Sequence, residues 1–186
     1  MARDGERVPY TVIRRKGTRT GRPHATLVSA YGAYQYSTTP RFSPTLLPFL
    51  DADGVYVNAN VRGGGEYGRE WHQAGKKASK PNTWRDLIDV CEMLVREHLT
   101  TPRQLAITGT SAGGIAVGRA MTERPDLFAA AISDVGPTRS DTRPSKTSPT
   151  SVNGAQPWTP QAFASCWRWT ACRQCATACA TRRYFA

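Results

Sequence analysis

Apolar and polar residues alternate along the chain with two periods, and the change of period outlines the elements. Three short segments, β-branched and apolar, predict strands: residues 8–15, 25–31 and 54–61. Residues 82–101 carry apolar side chains at spacings of three and four, which predicts one helix with a single apolar stripe. We expect Asn82 or Thr83 to cap its start, and Pro102 to lie just beyond its end.

The strand and helix patterns continue in alternation after this helix. Residues 104–109 predict a strand, residues 112–123 a helix and residues 128–133 another short strand. Strands that alternate with helices are typical of a parallel sheet with helices on its faces. The sequence therefore predicts an α/β domain over residues 1–136.

The pattern ends after residue 136. Residues 137–186 show no apolar period and are crowded with Pro, Ser, Thr and Arg, three of the five tryptophans and four of the five cysteines. A disordered tail is normally poor in Trp and Cys, and a folded extension normally shows a period. We expect this segment to be an irregular, non-native-looking tail that is disordered or translated out of frame.

The charge belongs largely to the same segment. The net charge is +11, of which residues 137–186 contribute +6 through seven Lys and Arg residues against one acid. Basic residues confined in this way do not form a designed patch, so we expect no nucleic-acid partner. Neither a run of roughly 18 apolar residues nor an apolar N-terminal signal is present. We therefore expect no membrane partner and a cytoplasmic location.

A cysteine cluster in the tail is the one candidate metal site. Cys172, Cys175 and Cys179 form a Cys-x₂-Cys-x₃-Cys pattern with Cys166 nearby, and no histidine follows. A zinc site needs a second ligand pair at suitable spacing. We expect no metal and no cofactor.

The sharpest chemical feature is a G-x-S-x-G sequence formed by residues 109–113. A predicted strand ends at Gly109, and a predicted helix begins just after Ser111. This is the context of a nucleophile elbow, in which a tight turn exposes the serine oxygen and requires small neighbours such as Gly109 and Gly113. The backbone N–H of Ala112, at the helix N-terminus, would face a developing oxyanion. Ser111 is therefore the candidate nucleophile.

A second glycine-rich string follows the third predicted strand and opens no predicted helix. Its residues are Arg62, Gly63, Gly64, Gly65 and Glu66. The string lacks the Lys-Ser/Thr of a phosphate-binding loop and the spacing of a dinucleotide fingerprint. A nucleotide-binding function is therefore disfavoured.

Five motifs in a fixed order carry a family resemblance. They are YGAY at 31–34, NANVRGGGEYG at 58–68, WH at 71–72, GTSAGG at 109–114 and RPDLF at 124–128. In this order, from about residue 3 to residue 136, the chain resembles the catalytic domain of the prolyl oligopeptidase family of serine peptidases. The resemblance implies a partial α/β-hydrolase fold and a peptide substrate. It also implies an oxyanion hole formed by the Tyr31 hydroxyl and the Ala112 amide, and a β-propeller partner domain that this sequence does not contain.

The catalytic triad is incomplete in this sequence. In an α/β-hydrolase the acid and the histidine follow the serine along the chain. The three histidines, His24, His72 and His98, all precede Ser111. His72 belongs to the family's motifs, and we expect it to be structural and not a substitute base. Without its base a triad serine keeps only about 10³–10⁴ of rate over water, so the chain should be nearly inactive.

Three hypotheses therefore stay open. The first is a fragment of a serine peptidase that lacks the triad Asp and His. The second is an esterase or an acylaminoacyl-peptidase-like hydrolase, because both use the same elbow. The third is a truncated remnant without catalysis.

Overall fold

A five-stranded sheet organises the computed structural model, which describes residues 1–19 and 21–134. The strands are β1 (Tyr10–Ile13), β2 (Thr26–Ala30), β3 (Val55–Ala59), β4 (Leu105–Thr110) and β5 (Ala130–Asp134). Their order in the sheet is β1-β3-β2-β4-β5, with β1 antiparallel to β3 and the other neighbours parallel. All five predicted strands are present, and the mostly parallel sheet is confirmed. The expected irregular segment, residues 137–186, lies outside the described residues.

Within the described residues, four α-helices accompany the sheet. They are α1 (Leu47–Asp51), α2 (Gly68–Gln73), α3 (Pro81–Arg96) and α4 (Gly113–Glu123). The apolar period predicted α3 and α4, but it gave no signal for α1 and α2, because one or two turns are too short to establish a period. Among the helices of the described ranges, none has both the length and the apolar character needed to cross a membrane.

The core lies between one face of the sheet and helices α3 and α4. Alternate strand residues point to this face, and Val28, Val57 and Ile107 are completely buried there. Leu87 and Ile88 of α3 meet them from the other side, and both are also completely buried. The core therefore fixes the carboxyl ends of β2 and β4 relative to the two helices.

The C-terminus of α3 differs from the prediction. The helix ends at Arg96, and His98 turns the chain with a positive φ of 56°. The His98 N–H then donates to Val95 O at 3.0 Å, and the Leu99 N–H donates to Leu94 O at 3.0 Å. These two bonds form a Schellman motif, which brings Leu99 back against the helix it has left. Leu99 thus extends the apolar stripe without being helical, which explains why the period predicted a helix to residue 101.

The predicted caps at the N-terminus of α3 were wrong. The helix begins at Pro81, which is favoured at a first helical position because it has no N–H to satisfy. The Asn82 side-chain amide instead donates to Ala74 O at 2.9 Å. The Thr83 hydroxyl donates to Arg62 O at 2.7 Å. Both side chains therefore bind the preceding segment to α3 and do not cap the helix.

The packing of α3 predicts where truncation will destabilise the domain. Leu87→Ala removes a completely buried side chain and should lower the free energy of unfolding by about 2–5 kcal/mol. Leu47→Ala is the matched control, since the Leu47 side chain on α1 is 42% exposed, and should change it by less than about 1 kcal/mol. Urea denaturation followed by far-UV circular dichroism measures both values. Equal losses would mean that α3 does not carry the core.

Candidate active site

Ser111 occupies a tight turn between β4 and α4. Its φ is +53°, in the left-handed region that a non-glycine residue rarely adopts. The Ser111 N–H donates to Asp134 O at 2.9 Å, and the Ser111 carbonyl accepts from the Gly114 N–H at 2.9 Å. Both backbone groups are thus engaged while the residue is exposed to solvent. This is the geometry of a strained strand-to-helix elbow with a presented hydroxyl.

The two glycines of the motif are required by close backbone approaches. A Cβ atom on Gly109 would lie 2.5 Å from Gly113 O, and one on Gly113 would lie 2.6 Å from Ala30 O. Backbone atoms cannot give way as a flexible side chain can. Both positions thus require a glycine, and Gly113 also packs against the end of β2.

That contact brings Tyr31 to the elbow. A Cβ atom on Gly113 would lie 3.2 Å from Tyr31 Cα and 3.5 Å from Tyr31 Cδ2, so the ring lies beside the start of α4. Tyr36 meets the ring edge-on at a centroid distance of 5.7 Å, and Tyr34 lies at 6.5 Å. Burial, and then these two tyrosines, raise the pKa of Tyr31 above its usual value. The phenol is therefore neutral at physiological pH and can donate a hydrogen bond.

An open pocket of about 340 Å³ adjoins this tyrosine. It is lined by Ser29, Ala30, Tyr31, Tyr36, Thr38 and Thr110. The lining is uncharged and rich in hydroxyl groups. Ala112 follows Ser111 at the N-cap position of α4, where the first amide groups of a helix have no partner within the helix. The pocket, the serine and free helix amides thus occupy the carboxyl end of the parallel sheet, where sites form in open α/β folds.

The glycine-rich string supports the loop that carries the tyrosines. A Cβ atom on Gly63 would lie 2.2 Å from Gly32 O, and one on Gly65 would lie 2.2 Å from Gln35 O. Glu66 accepts from the Thr38 N–H at 3.0 Å through its carboxylate. The segment therefore lies directly along residues 32–38. Its geometry fits a structural support and no phosphate cradle.

Arg62 anchors this string in the interior. Its side chain is bonded to the completely buried carboxylate of Asp86, with Nε at 3.0 and 2.9 Å from the two oxygens, and its N–H donates to Oδ2 at 2.8 Å. Asp4 accepts from Nη1 at 2.6 Å. Burial alone would lower the pKa of Arg62, but the bonds to both carboxylates raise it. Burial raises the pKa of Asp86, and Arg62 opposes that rise.

Two of the three histidines, His24 and His98, lie too far from Ser111 to act as its base. His24 precedes β2, and its ring nitrogens contact Arg19 O at 2.8 Å and Asp53 O at 3.1 Å. His98 precedes β4 and lies at the same edge, since the His24 N–H donates to Leu99 O. Ser111 lies at the opposite, carboxyl end of the strands. Six residues of β4 at about 3.3 Å per residue separate the two ends by roughly 20 Å.

His72 lies at the correct edge but is engaged in structure. It is buried on α2, and its Nδ1 lies 2.8 Å from Gly63 O, to which it donates. The Gln35 N–H lies 3.3 Å from the same carbonyl oxygen and 3.1 Å from His72 Nδ1. Because the carbonyl can only accept, Nδ1 carries the proton and the Gln35 N–H donates to the carbonyl. The geometry thus supports the expected structural function of His72. Within the described ranges, no group of three or more His, Cys, Asp or Glu side chains could hold a metal ion.

Lys80 is a functional candidate that the sequence did not reveal. The residue is 3% exposed, and its ammonium donates to Gly32 O at 2.6 Å, directly after Tyr31. Burial lowers the pKa of Lys80 to about 8. A single lysine before a helix is normally exposed, so no pattern in the sequence distinguishes it from Lys76 or Lys77.

The model of the prolyl oligopeptidase family matches residues 40–170 of this chain. A prolyl endopeptidase from Elizabethkingia meningoseptica is 38% identical over 133 residues, which are 72% of this chain and 19% of that protein. A prolyl endopeptidase from Dictyostelium discoideum is 39% identical over 136 residues, 72% of this chain and 18% of the other. The solved structure of oligopeptidase B from Trypanosoma brucei is 41% identical with a TM-score of 0.69, and the match covers 71% of this chain and 19% of that one.

These matches cover most of this chain and a small part of each relative. The chain spans about a fifth of the length of the curated relatives it matches. The family match also extends past residue 136, where the resemblance between motifs was expected to end.

The Arg62–Asp86 pair predicts a double-mutant result. Asp86→Leu leaves the buried guanidinium without its main partner and should lower the free energy of unfolding by about 3–5 kcal/mol. The double variant Arg62→Met/Asp86→Leu removes both charges and should be more stable than Asp86→Leu alone.

The control for this comparison is Glu97→Ala, which breaks the exposed pair of Arg96 and Glu97. It should leave the free energy of unfolding nearly unchanged. Urea denaturation at constant ionic strength measures all four proteins. A double variant that is less stable than Asp86→Leu would contradict the ion-pair argument.

The buried Lys80 ammonium predicts that stability rises with pH. The folded-state pKa is about 8, against about 10.4 in an unfolded chain. Below pH 8 both states are protonated and the cost of burial is fully present, and above pH 10.5 both are neutral and the cost is gone. Between these values the unfolded state binds more protons, so stability rises with pH, by about 3 kcal/mol in total.

Other groups titrate in the same range, so the useful quantity is the difference between wild type and Lys80→Met. That difference should change by about 3 kcal/mol between pH 7.5 and pH 10.5, as measured by urea denaturation at several pH values. A constant difference would show that Lys80 is not buried in its charged form.

Proposed function

The chain belongs to the prolyl oligopeptidase family, and from this premise we propose that Ser111 is the nucleophile of a serine peptidase site. Family membership confirms the expected resemblance and the partial α/β-hydrolase fold. One observation carries the proposal: Ser111 is held at a positive φ between β4 and α4 and is exposed to solvent. A serine at a positive φ between a strand and a helix is characteristic of a nucleophile elbow.

The proposed chemistry is attack on a peptide carbonyl. Ser111 Oγ forms a bond to the carbonyl carbon, and negative charge develops on the carbonyl oxygen. The Ala112 N–H at the start of α4 and the neutral hydroxyl of Tyr31 stabilise that oxygen. The position of the Tyr31 ring against Gly113 supports this function, because the ring and the Ala112 amide then flank the same turn.

We infer that the base that takes the Ser111 proton is not among the histidines of this sequence, because in this fold the histidine follows the serine along the chain and all three histidines precede Ser111. His24 and His98 lie at the far edge of the sheet, and His72 is bonded to Gly63 O. We therefore propose that this chain supplies the nucleophile and the oxyanion donors of the site but turns over substrate only at a background rate. A serine site without its base retains a rate enhancement of about 10³–10⁴-fold over the reaction in water.

Several further expectations stay predictions. They are the peptide substrate, a β-propeller partner domain, a cytoplasmic location and a boundary near residue 136 between the α/β domain and an irregular tail. The esterase alternative shares every feature of the elbow, so no described contact favours it over the peptidase. A prolyl peptide amide and the matching ester, compared as substrates, would separate the two.

A fluorophosphonate probe tests the nucleophile directly. Ser111 Oγ attacks phosphorus, fluoride leaves, and the proton passes to an added base. Imidazole in solution should accelerate labelling by about 10-fold or more, because it supplies part of the 10²–10⁴ that a positioned base contributes. Peptide mass spectrometry should place the adduct on Ser111.

Two variants control this experiment. Ser111→Ala should abolish labelling, and Ser133→Ala, which alters an exposed serine opposite Gly109 in the sheet, should leave it unchanged. An adduct on another residue, or equal labelling of Ser111→Ala, would refute the proposed nucleophile. Labelling that imidazole does not accelerate would show that a missing base is not what limits Ser111.

A further inference from the structure

The turn that carries Tyr31 is held by one buried charged side chain. Lys80 Nζ donates to the carbonyl oxygen of Gly32 at 2.6 Å. Lys80 is 3% exposed, and within the described ranges it forms no ion pair with any carboxylate. A lysine is seldom buried without an acidic partner. Within the described residues, the Gly32 carbonyl is the hydrogen-bond partner that compensates for burial of this ammonium.

Gly32 is a point at which the chain direction is set. Its φ is +64°, and a Cβ atom there would lie 2.3 Å from Thr83 Cγ2 and 2.7 Å from Val61 Cγ2. On the other side of Tyr31, Gly113 packs against its Cα and ring. Tyr31 is therefore clamped between the elbow and a left-handed turn, and the direction of the Gly32 carbonyl fixes how the turn leaves the tyrosine.

We propose that Lys80 is a positioning residue for Tyr31: by binding the Gly32 carbonyl it holds the Tyr31 hydroxyl at the elbow for oxyanion stabilisation. This inference rests on the proposed function of Ser111 and Tyr31. Lys80 touches neither the serine nor a substrate, and it acts only through the Gly32 peptide group. A fixed donor matters because an oxyanion hole depends on dipoles that are oriented before charge develops.

The protonation of Lys80 gives this coupling a spectroscopic signature. Burial lowers the pKa of Lys80 to about 8, so the bond to Gly32 O changes from charged to neutral near that pH. Charged and titratable groups on the elements around Gly32 include Tyr31, Tyr34 and Tyr36 on the loop, Arg62 and Glu66 on the glycine-rich string, Arg69, Glu70 and His72 on α2, Lys77 on the preceding turn, and Arg85, Asp86, Asp89, Glu92 and Arg96 on α3. Tyr31 itself ionises at higher pH, because burial and its neighbours raise its pKa.

The test follows Tyr31 by NMR in the full 186-residue chain. The chain is labelled with tyrosine that carries ¹³C at Cζ, and Tyr31→Phe identifies the Tyr31 signal among the seven tyrosines. Between pH 6 and pH 10 the Tyr31 signal should shift with a midpoint near pH 8, before its own ionisation. Lys80→Met should abolish this step and displace the signal at pH 6.5. Lys77→Met, which changes an exposed lysine one turn earlier, should keep the step.

Each outcome decides the proposal. Absence of the step in the wild-type chain overturns it without any variant, and a step that persists in Lys80→Met overturns it as well. If Lys80→Met does not fold, Lys80→Gln keeps a neutral donor, and its Tyr31 signal should show no step near pH 8. The NMR measurement needs no turnover, so the two proposals can fail separately. If Tyr31 shows the step near pH 8 but Ser111 is not labelled by the fluorophosphonate, only the function of Ser111 is refuted. If Ser111 is labelled but Tyr31 shows no step, only the positioning by Lys80 is refuted.

Discussion

The buried pairing of Arg62 with Asp86 is the interaction on which the arrangement of the site depends. Asp86 is completely buried on α3, and it holds both the side chain and the backbone N–H of Arg62. A charge at that depth is tolerated only with a partner and satisfied hydrogen bonds. Since Arg62 begins the glycine-rich string, the pair fixes the string to α3. The loop of residues 32–38 is in turn fixed to the string.

Close backbone contact then transmits this order to the elbow. Gly63 lies against the Gly32 carbonyl, and Gly113 lies against Ala30 and Tyr31. None of these contacts leaves room for a Cβ atom, so the distances between the segments are set by backbone alone. The glycines of the two strings, at residues 63–65 and at residues 109 and 113, therefore serve one purpose. They allow the loop of Tyr31 to lie between the two strings and beside the nucleophile turn.

Local pattern predicted the strands, α3, α4 and the elbow, because burial of one face imposes a period and the strained turn demands its glycines. It failed where side chains serve distant backbone. Threonine is a common N-cap residue, but the Thr83 hydroxyl donates to Arg62 O. Lys80 resembles a solvated lysine in sequence, but it is buried and its ammonium donates to Gly32 O. Leu99 follows the helical period from outside the helix through a Schellman motif. Each failure reflects a tertiary contact that spacing along the chain does not encode.

In the described residues, the positions of the proposed nucleophile and oxyanion donors do not depend on a histidine. Ser111, Ala112 and Tyr31 owe their positions to the β4–α4 turn, Gly113 and the Gly32 turn, all within the described residues. No contact with a base is needed to hold the strained φ of Ser111, since its N–H is bonded to Asp134 O and its carbonyl to the Gly114 N–H. Strain at the nucleophile is therefore a property of the local fold, and the activation of the nucleophile is a separate requirement that a base must meet.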